Sequence, residues 1–365
     1  MRKKIIFCFA ASSTCVNFFQ DLISNLSKYS DTYLITGKDH AFDELVAFSE
    51  INSIDIFEVD IPRKITFRLF NSYQATVSAI SLIKKAGKDT DELVIFSNTP
   101  IMSFLIAIYR FFHPRIQHIH ICHGLFSYNQ RLLKRLFFKF FEQTTFLLSD
   151  HIIFVSNSLR KFAQDNYWLV KKKIHNIDSI TGVEIPQHDK KRSPKFRVGF
   201  FGRVCPDKGF KDFYSLYKLL PESFSFLIAG PIENEQFKKL IDLSDERLNY
   251  IGIVKDRADF FSNIDVLFFP SRREGFGVSI IEASAYGVPT IAYDIVGISD
   301  SLHSQLNGFK INYRDVKTAS LIIQSLSKNR NELEELKQNS TNFVKNNYLK
   351  QIVLDRNIQK FNELI

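Results

Sequence analysis

Glycine and cysteine are scarce in this chain, and so are long apolar runs. There are 14 glycines against 37 phenylalanines in 365 residues, and no repeat of 20–50 residues or low-complexity segment is evident. The four cysteines, Cys8, Cys15, Cys122 and Cys205, form no Cys-x-x-Cys pair. Their scatter suits reduced thiols in a cytosolic chain better than a disulfide framework. No stretch approaches the ~20 uninterrupted apolar residues that a spanning helix needs, so the chain reads as cytoplasmic, soluble or peripheral on the inner face of a membrane. The opening MRKKIIFCFAASS is basic, but its apolar run extends only from Ile5 to Ala11. That fits a first buried strand entering a turn, not a signal peptide. Nucleic-acid motifs and long basic runs are also lacking, so the net charge of +9 does not read as a nucleic-acid footprint. The positive residues mix with aromatics in particular helices, which favours an anionic membrane surface or phosphorylated substrates.

What is present is an ordinary globular composition, 45% hydrophobic and 24% charged, in a chain long enough for two domains. Strand-like apolar runs recur at Lys4–Phe9, Thr32–Thr36, Ile54–Val59, Leu93–Ser97, Gln117–Cys122 and His151–Val155. A second series follows at Phe196–Phe201, Ser225–Ala229, Leu248–Ile253, Val266–Phe269 and Thr290–Tyr293. Continuous β-branched or aromatic runs are typical of parallel strands buried on both faces. Their alternation with helix-period stretches predicts two doubly wound α/β domains. The polar, proline-bracketed Pro186–Pro194 segment marks the seam, and the stretch from about Asn339 is helical.

Two segments of the second half carry chemistry. In Phe268–Asp294 a strand ends at Pro270, and a loop holds Arg272, Arg273, Glu274 and Gly275. A helix then runs from about Gly277 to Tyr286 before Gly287 and Pro289 stop it. Free backbone N–H groups at such a helix start form an anion site suited to a diphosphate. Glu274 and Glu282, eight residues apart, are natural readers of sugar hydroxyl pairs. The mostly apolar neighbours Ile280, Ile281, Ala283 and Ala285 argue against Glu282 merely facing solvent. In the other segment a strand ends in Gly202, and a turn carries Arg203 and Lys208. An arginine fork and a lysine point charge can neutralise a diphosphate leaving group.

Gly202-Arg203 with Lys208-Gly209, followed by Glu274-Gly275-Phe276-Gly277 with Glu282, resembles glycosyltransferase family 4, the group 1 type of retaining glycosyltransferases. The resemblance spans the C-terminal half, with both motifs in order on the expected elements. It implies the GT-B fold: α/β, two Rossmann-like doubly wound parallel-sheet domains facing across a cleft. Residues 1–188 would bind the acceptor, with a C-terminal helix at about 346–365 packing back on them, and residues 189–345 would bind the nucleotide-sugar. It further implies that Arg203 and Lys208 bind the donor diphosphate. Glu274 and the Gly275, Phe276, Gly277 and Val278 backbone would hold the donor sugar, Glu282 the ribose, and the backbone near Ile253, Val254 and Lys255 the base. A UDP-sugar donor, retention at the anomeric carbon and a glycan acceptor in cell-surface polysaccharide assembly, such as O-antigen or capsule, come with it. One departure is the single glycine of Val296-Gly297-Ile298-Ser299-Asp300, where the family often has a pair.

The first half is less explicit. Its first strand feeds Ala10-Ala11-Ser12-Ser13 with no glycine, where a Rossmann-like turn is usually glycine-rich. Ser12, Ser13 and Thr14 can still donate hydrogen bonds. His118, His120 and Cys122 alternate onto one strand face and His123 onto the other, but no fourth zinc ligand is in reach. His118 and His120 read as packed core histidines. By the resemblance, His123-Gly124 lies near the reacting sugar. Asp89-Thr90-Asp91 precedes a strand and follows Gly87-Lys88, so it reads as a solvated turn. No cofactor or catalytic metal is expected, since Arg203 and Lys208 supply positive charge. The helices Arg131–Leu148 and Ser103–Phe112 interleave aromatics with Lys and Arg, and Lys64, Arg68 and Phe67–Phe70 extend that surface. Such helices either pack on the sheet or lie in a membrane interface; in the second case the acceptor is lipid-linked. A nucleotide-sugar epimerase of the same fold, a non-catalytic membrane-associated nucleotide-sugar-binding subunit and a basic adaptor are the competing readings.

Overall fold

The computed structural model of the chain describes residues 3–61, 68–85, 92–128, 130–169, 171–186, 195–241 and 245–365. Lys64, Phe67, Gly87 to Asp91 and residues 187–194 of the expected seam lie outside the described residues. The chain forms two compact units, one of residues 1–181 with 354–365 and one of residues 182–353.

The first unit is built on seven strands among the described residues: β1 (Lys4–Phe9), β2 (Asp31–Thr36), β3 (Asp55–Glu58), β4 (Leu93–Ser97), β5 (Gln117–Cys122), β6 (His151–Phe154) and β7 (Ile174–Asn176). They pair in parallel in the order β3-β2-β1-β4-β5-β6-β7. Every residue of β1 is buried, as a strand covered by helices on both faces demands. Phe7 stacks on Phe96 with centroids 4.8 Å apart, and Phe96 stacks on Phe361 at 5.0 Å. The terminal helix Lys350–Leu364 thereby brings its last turns into this core, and Gln117 donates to the Leu364 carbonyl at 2.8 Å.

The second unit contains β8 (Phe196–Phe201), β9 (Phe224–Ala229), β10 (Leu248–Tyr250), β11 (Val266–Phe269), β12 (Thr290–Tyr293) and β13 (Gly308–Ile311). These pair in parallel in the order β10-β9-β8-β11-β12-β13. Phenylalanine fills this unit: Phe200, Phe210, Phe213, Phe226, Phe260 and Phe261 are among the largest fully buried side chains. Both sheets reverse their strand order beside the first strand of the unit, which sets β1 against β4 and β8 against β11. Ligands of doubly wound sheets bind at the carboxyl ends of the strands flanking such a reversal.

The expected strand Leu248–Ile253 is corrected: β10 stops at Tyr250, because Gly252 turns the chain at φ +74°. Two edge strands, β7 (IHN) and β13 (GFKI), are too short and too polar to announce themselves in the sequence.

Candidate active site

In the second unit the two motif segments leave adjacent strands and interlock. Gly209 sits at φ +73°, and a Cβ there would lie 1.9 Å from the Pro270 carbonyl, so only glycine lets the turn after β8 rest on the end of β11. The Arg272 N–H donates to the Asp207 carbonyl at 2.9 Å. Arg273 approaches the Asp207 carboxylate at 3.6 Å, and Arg272 approaches Asp212 at 3.8 Å. Between the segments, Lys208 Nζ donates to Glu274 Oε1 at 2.6 Å, both side chains being largely sheltered from solvent. Gly297, at φ +100°, lets the loop after β12 close on the same place, since a Cβ there would lie 2.2 Å from the Glu274 carbonyl. The single glycine of that loop thus holds the backbone of Glu274.

Around this centre the other expected residues are placed on separate contacts. Arg203 follows β8 and donates to Glu233 Oε2 at 2.7 Å. Glu233 comes from the loop after β9, where Gly230 rides against the Gly202 carbonyl. Glu282 is the fifth residue of the helix Val278–Ala285, one turn in. It is mostly buried and accepts from Arg257 Nε at 3.0 Å; the Arg257 guanidinium in turn lies 5.2 Å from the centroid of the Phe201 ring. Gly277 enters the helix at φ +82° with no side-chain cap, leaving first-turn N–H groups available for an anion. Phe276 is buried and its carbonyl accepts from Ser301 Oγ at 2.6 Å. Ile253, Val254 and Lys255 occupy the loop beyond β10, with Ile253 exposed. Glu233 and Arg257 escaped the sequence reading. Their position just past β9 and β10 was the available signal.

The corresponding edge of the first unit has a different chemistry. Ser12 and Ser13 open the helix Ser12–Phe18, and both are engaged by Asp39. Ser12 Oγ donates to Oδ1 at 2.7 Å, Ser13 N to Oδ1 at 3.0 Å and Ser13 Oγ to Oδ2 at 2.5 Å. Burial raises the pKa of the Asp39 carboxyl, but the hydroxyl and backbone hydrogen bonds outweigh it and hold the carboxyl below its ordinary value. The expected serine donors are therefore already committed to an aspartate that the sequence did not flag. Beyond β4, Asn98 Oδ1 and Thr99 Oγ1 are buried without a hydrogen-bond partner, as is His123 Nε2 beyond β5. The His123 ring lies edge-on to Phe19 at 5.7 Å, and desolvation pulls its pKa down to about 4, so it is neutral at pH 7. Gly124 follows at φ +153°. His118 instead bonds Ser97 at 2.7 Å and Ser149 at 3.2 Å, and His120 bonds Ser103 at 2.9 Å; these are core histidines. Among the described residues no three His, Cys, Asp or Glu side chains gather to hold a metal ion. No described helix is long and apolar enough to cross a membrane.

Comparison with known proteins places both edges in context. A family model described as glycosyl transferases group 1 matches residues 183–343, a span that contains every residue from Gly202 to Glu282 named above. A second, described as glycosyltransferase family 4, matches residues 33–178. The Staphylococcus aureus capsular polysaccharide biosynthesis glycosyltransferase CapM is 25% identical over 84% of this chain and 84% of its own length. The Campylobacter jejuni N,N'-diacetylbacillosaminyl-diphospho-undecaprenol alpha-1,3-N-acetylgalactosaminyltransferase is 25% identical over 60% of this chain and 62% of its own. The solved structure of Anabaena HepE in complex with UDP-glucose superposes with a TM-score of 0.76 at 18% identity, covering 99% of this chain and 100% of that one.

Proposed function

Because the chain belongs to the group 1 and family 4 glycosyltransferases and has their GT-B fold, we propose that it transfers a sugar from a UDP-sugar, with retention, to a lipid-linked glycan. The product would enter a cell-surface polysaccharide, capsule or O-antigen, assembled at the cytoplasmic face of the membrane. The observation that carries this reading is the interlock of the turn after β8 with the loop after β11, closed by the 2.6 Å Lys208–Glu274 pair at the strand-order reversal. The Anabaena neighbour bound to UDP-glucose supports the donor class. The names of the S. aureus and C. jejuni relatives support the product class and the lipid carrier.

In this mechanism the donor diphosphate settles beside Arg203 and Lys208, which share their charge between it and their carboxylate partners. As the glycosidic bond to the diphosphate breaks, negative charge grows on the leaving oxygen, and two fixed cations stabilise it without a metal. Glu274 and the Gly275–Val278 backbone hold the sugar, Glu282 the ribose hydroxyls, and the Ile253–Val254 backbone the base. The acceptor hydroxyl attacks from the face the diphosphate leaves and passes its proton to the departing diphosphate oxygen. In the first unit, neutral His123, its buried Nε2 unpartnered, and Ser12, Ser13 and Gly124 frame the edge proposed for the acceptor.

The test is a panel of nucleotide sugars followed by thermal shift and calorimetry, with magnesium and with chelator. A UDP-sugar should stabilise the protein equally in both, and UDP release should depend on an added glycan-lipid. Release independent of any acceptor would point to an epimerase-type reaction. Absence of binding by every nucleotide sugar would overturn the donor site.

A further inference from the structure

One cavity of the first unit is unused by this mechanism. It measures about 370 Å³ and is lined by Tyr128, Gln130, Arg135, Lys139 and Asn166 above a floor of Ser127 and Tyr167. We propose that it holds the phosphate head of an amphiphilic acceptor, with the hydrocarbon chain laid along the neighbouring stripe of the helix Leu132–Leu148. This rests on the lipid-linked reading above and names its site.

The floor is fixed from beneath. Glu142 is buried and accepts from the Phe126 N–H at 2.5 Å, from the Ser127 N–H at 3.4 Å, and from the Tyr167 hydroxyl at 2.6 Å. Tyr167 also bonds Ser127 Oγ at 2.5 Å. A buried carboxylate thus staples the segment that follows His123-Gly124 to the helix, and both of its oxygens are occupied. Above the floor, Arg135 and Lys139 stand one helical turn apart. Neither has an acidic partner among the described residues, Lys139 lying instead 5.4 Å from the centroid of the Tyr167 ring. Elsewhere in the protein Lys208, Arg203 and Arg257 are each paired with a glutamate. An unpaired arginine fork and lysine point charge in one hollow, with amide and phenol groups beside them, match the oxygens of a phosphate or diphosphate.

The hydrocarbon half of the ligand has its own surface. Leu132, Leu136 and Phe140 repeat the same four-residue spacing on the adjoining stripe, and they are 70%, 56% and 65% exposed. Trp168 is 82% exposed and is held next to that stripe by reciprocal 2.8 Å hydrogen bonds with the Gln143 side chain. Exposed apolar side chains contiguous on one helix mark an interaction surface. A cationic hollow at its border selects a chain that carries phosphate.

Trp168 is the chain's single tryptophan, so its emission reads this surface alone. The full chain is titrated with farnesyl diphosphate below its micelle concentration, with farnesol and with inorganic pyrophosphate. Farnesyl diphosphate should shift the emission to the blue and saturate, while the other two bind at least about tenfold more weakly. R135A/K139A, and R135Q/K139Q should the alanine variant not fold, should raise Kd for farnesyl diphosphate about tenfold or more. R131A/K134A, on exposed positions outside the cavity lining, should change it less than about twofold. Equal binding of farnesol, an equal loss in R131A/K134A, or a blue shift seen only with phosphatidylglycerol vesicles would each overturn the proposal. Stabilisation by UDP reads the other unit. Its loss with the farnesyl diphosphate response intact would remove the glycosyltransferase donor site and leave this one standing.

Discussion

The two units share a strand order around the reversal and differ in what they place there. At β8 and β11 the side chains are charged, paired and wedged by glycines: Lys208 with Glu274, Arg203 with Glu233, Gly209 against Pro270. At β1 and β4 they are neutral or already engaged: serines on Asp39, and the open polar atoms of Asn98, Thr99 and, one strand over, His123. Topology therefore fixes the address of a ligand, and the side chains decide its chemistry. A nucleotide diphosphate needs cations whose geometry is set in advance. A sugar hydroxyl needs neutral hydrogen-bonding groups kept out of water, where one bond discriminates strongly.

The contrast breaks most visibly through the cations. Arg203→Ala and Lys208→Ala should each lower transfer about 10²- to 10³-fold, the scale of losing one group that stabilises developing negative charge. Arg203 is half-exposed, so its loss should move the thermal midpoint little, whereas Lys208→Ala leaves the sheltered Glu274 carboxylate unpaired and should also lower the midpoint. Acceptor-dependent UDP release beside a melting curve checks both. A loss of similar size from Ser12→Ala would show that the first unit carries charge chemistry after all. Glu282→Gln should cost about tenfold, expressed mainly as a higher donor KM, because a neutral amide keeps the shape but gives up the charge assistance in the bond proposed to ribose. Near-native kinetics in both Arg203→Ala and Glu282→Gln would sink the donor-site assignment.

A finer test lies in the first unit. Thr99 Oγ1 is buried and open, and such a hydroxyl costs stability unless something uses it. Thr99→Val should leave the melting temperature unchanged or slightly higher, while the acceptor KM rises about fivefold and the donor KM stays put. A variant that destabilised the protein without touching the acceptor KM would assign the hydroxyl to the fold.

The sequence disclosed the charged address far better than the neutral one. Glycines, arginines and acids at strand ends have few alternative explanations when spaced as Gly202-Arg203, Lys208-Gly209 and Glu274 to Glu282 are, and continuous apolar strands announced both sheets. Asp39, Asn98 and Thr99 gave no such signal, because a lone aspartate or amide after a strand is the commonest of turn residues. Their meaning comes from burial and from hydrogen bonds formed or left open, which are properties of packing. The ion-pair partners Glu233 and Arg257 sit 30 and 25 residues from the side chains they meet, beyond any local pattern. The basic, aromatic helix was legible as a feature, but its division into a buried staple, a cationic hollow and an exposed apolar stripe required three dimensions.

The smallest effect separates the units by acid. Burial depresses His118 well below its ordinary value, His120 to about 3 and His123 to about 4, and desolvation also lowers His151, and His175 to about 4. All five belong to the first unit. An unfolded histidine takes up its proton near pH 6.5, while these exclude it. The unfolded state therefore binds more protons between about pH 6.5 and 4, and stability present above that window is lost as pH falls through it. Each fully excluded proton costs about 1.4 kcal/mol one pH unit below 6.5. Glu142, raised by burial, pulls the other way, so a difference between variants is cleaner than an absolute curve. Scanning calorimetry at pH 7 and pH 5.5, with UDP marking the transition of the second unit, should show the first unit's midpoint falling further. His123→Gln should shrink that acid-induced drop by about 3 °C, as expected for a unit of this size. An unchanged drop would mean that His123 takes up its proton in the folded protein as readily as in the unfolded one, and the neutral edge proposed for the acceptor would have to be drawn around Asn98 and Thr99 instead.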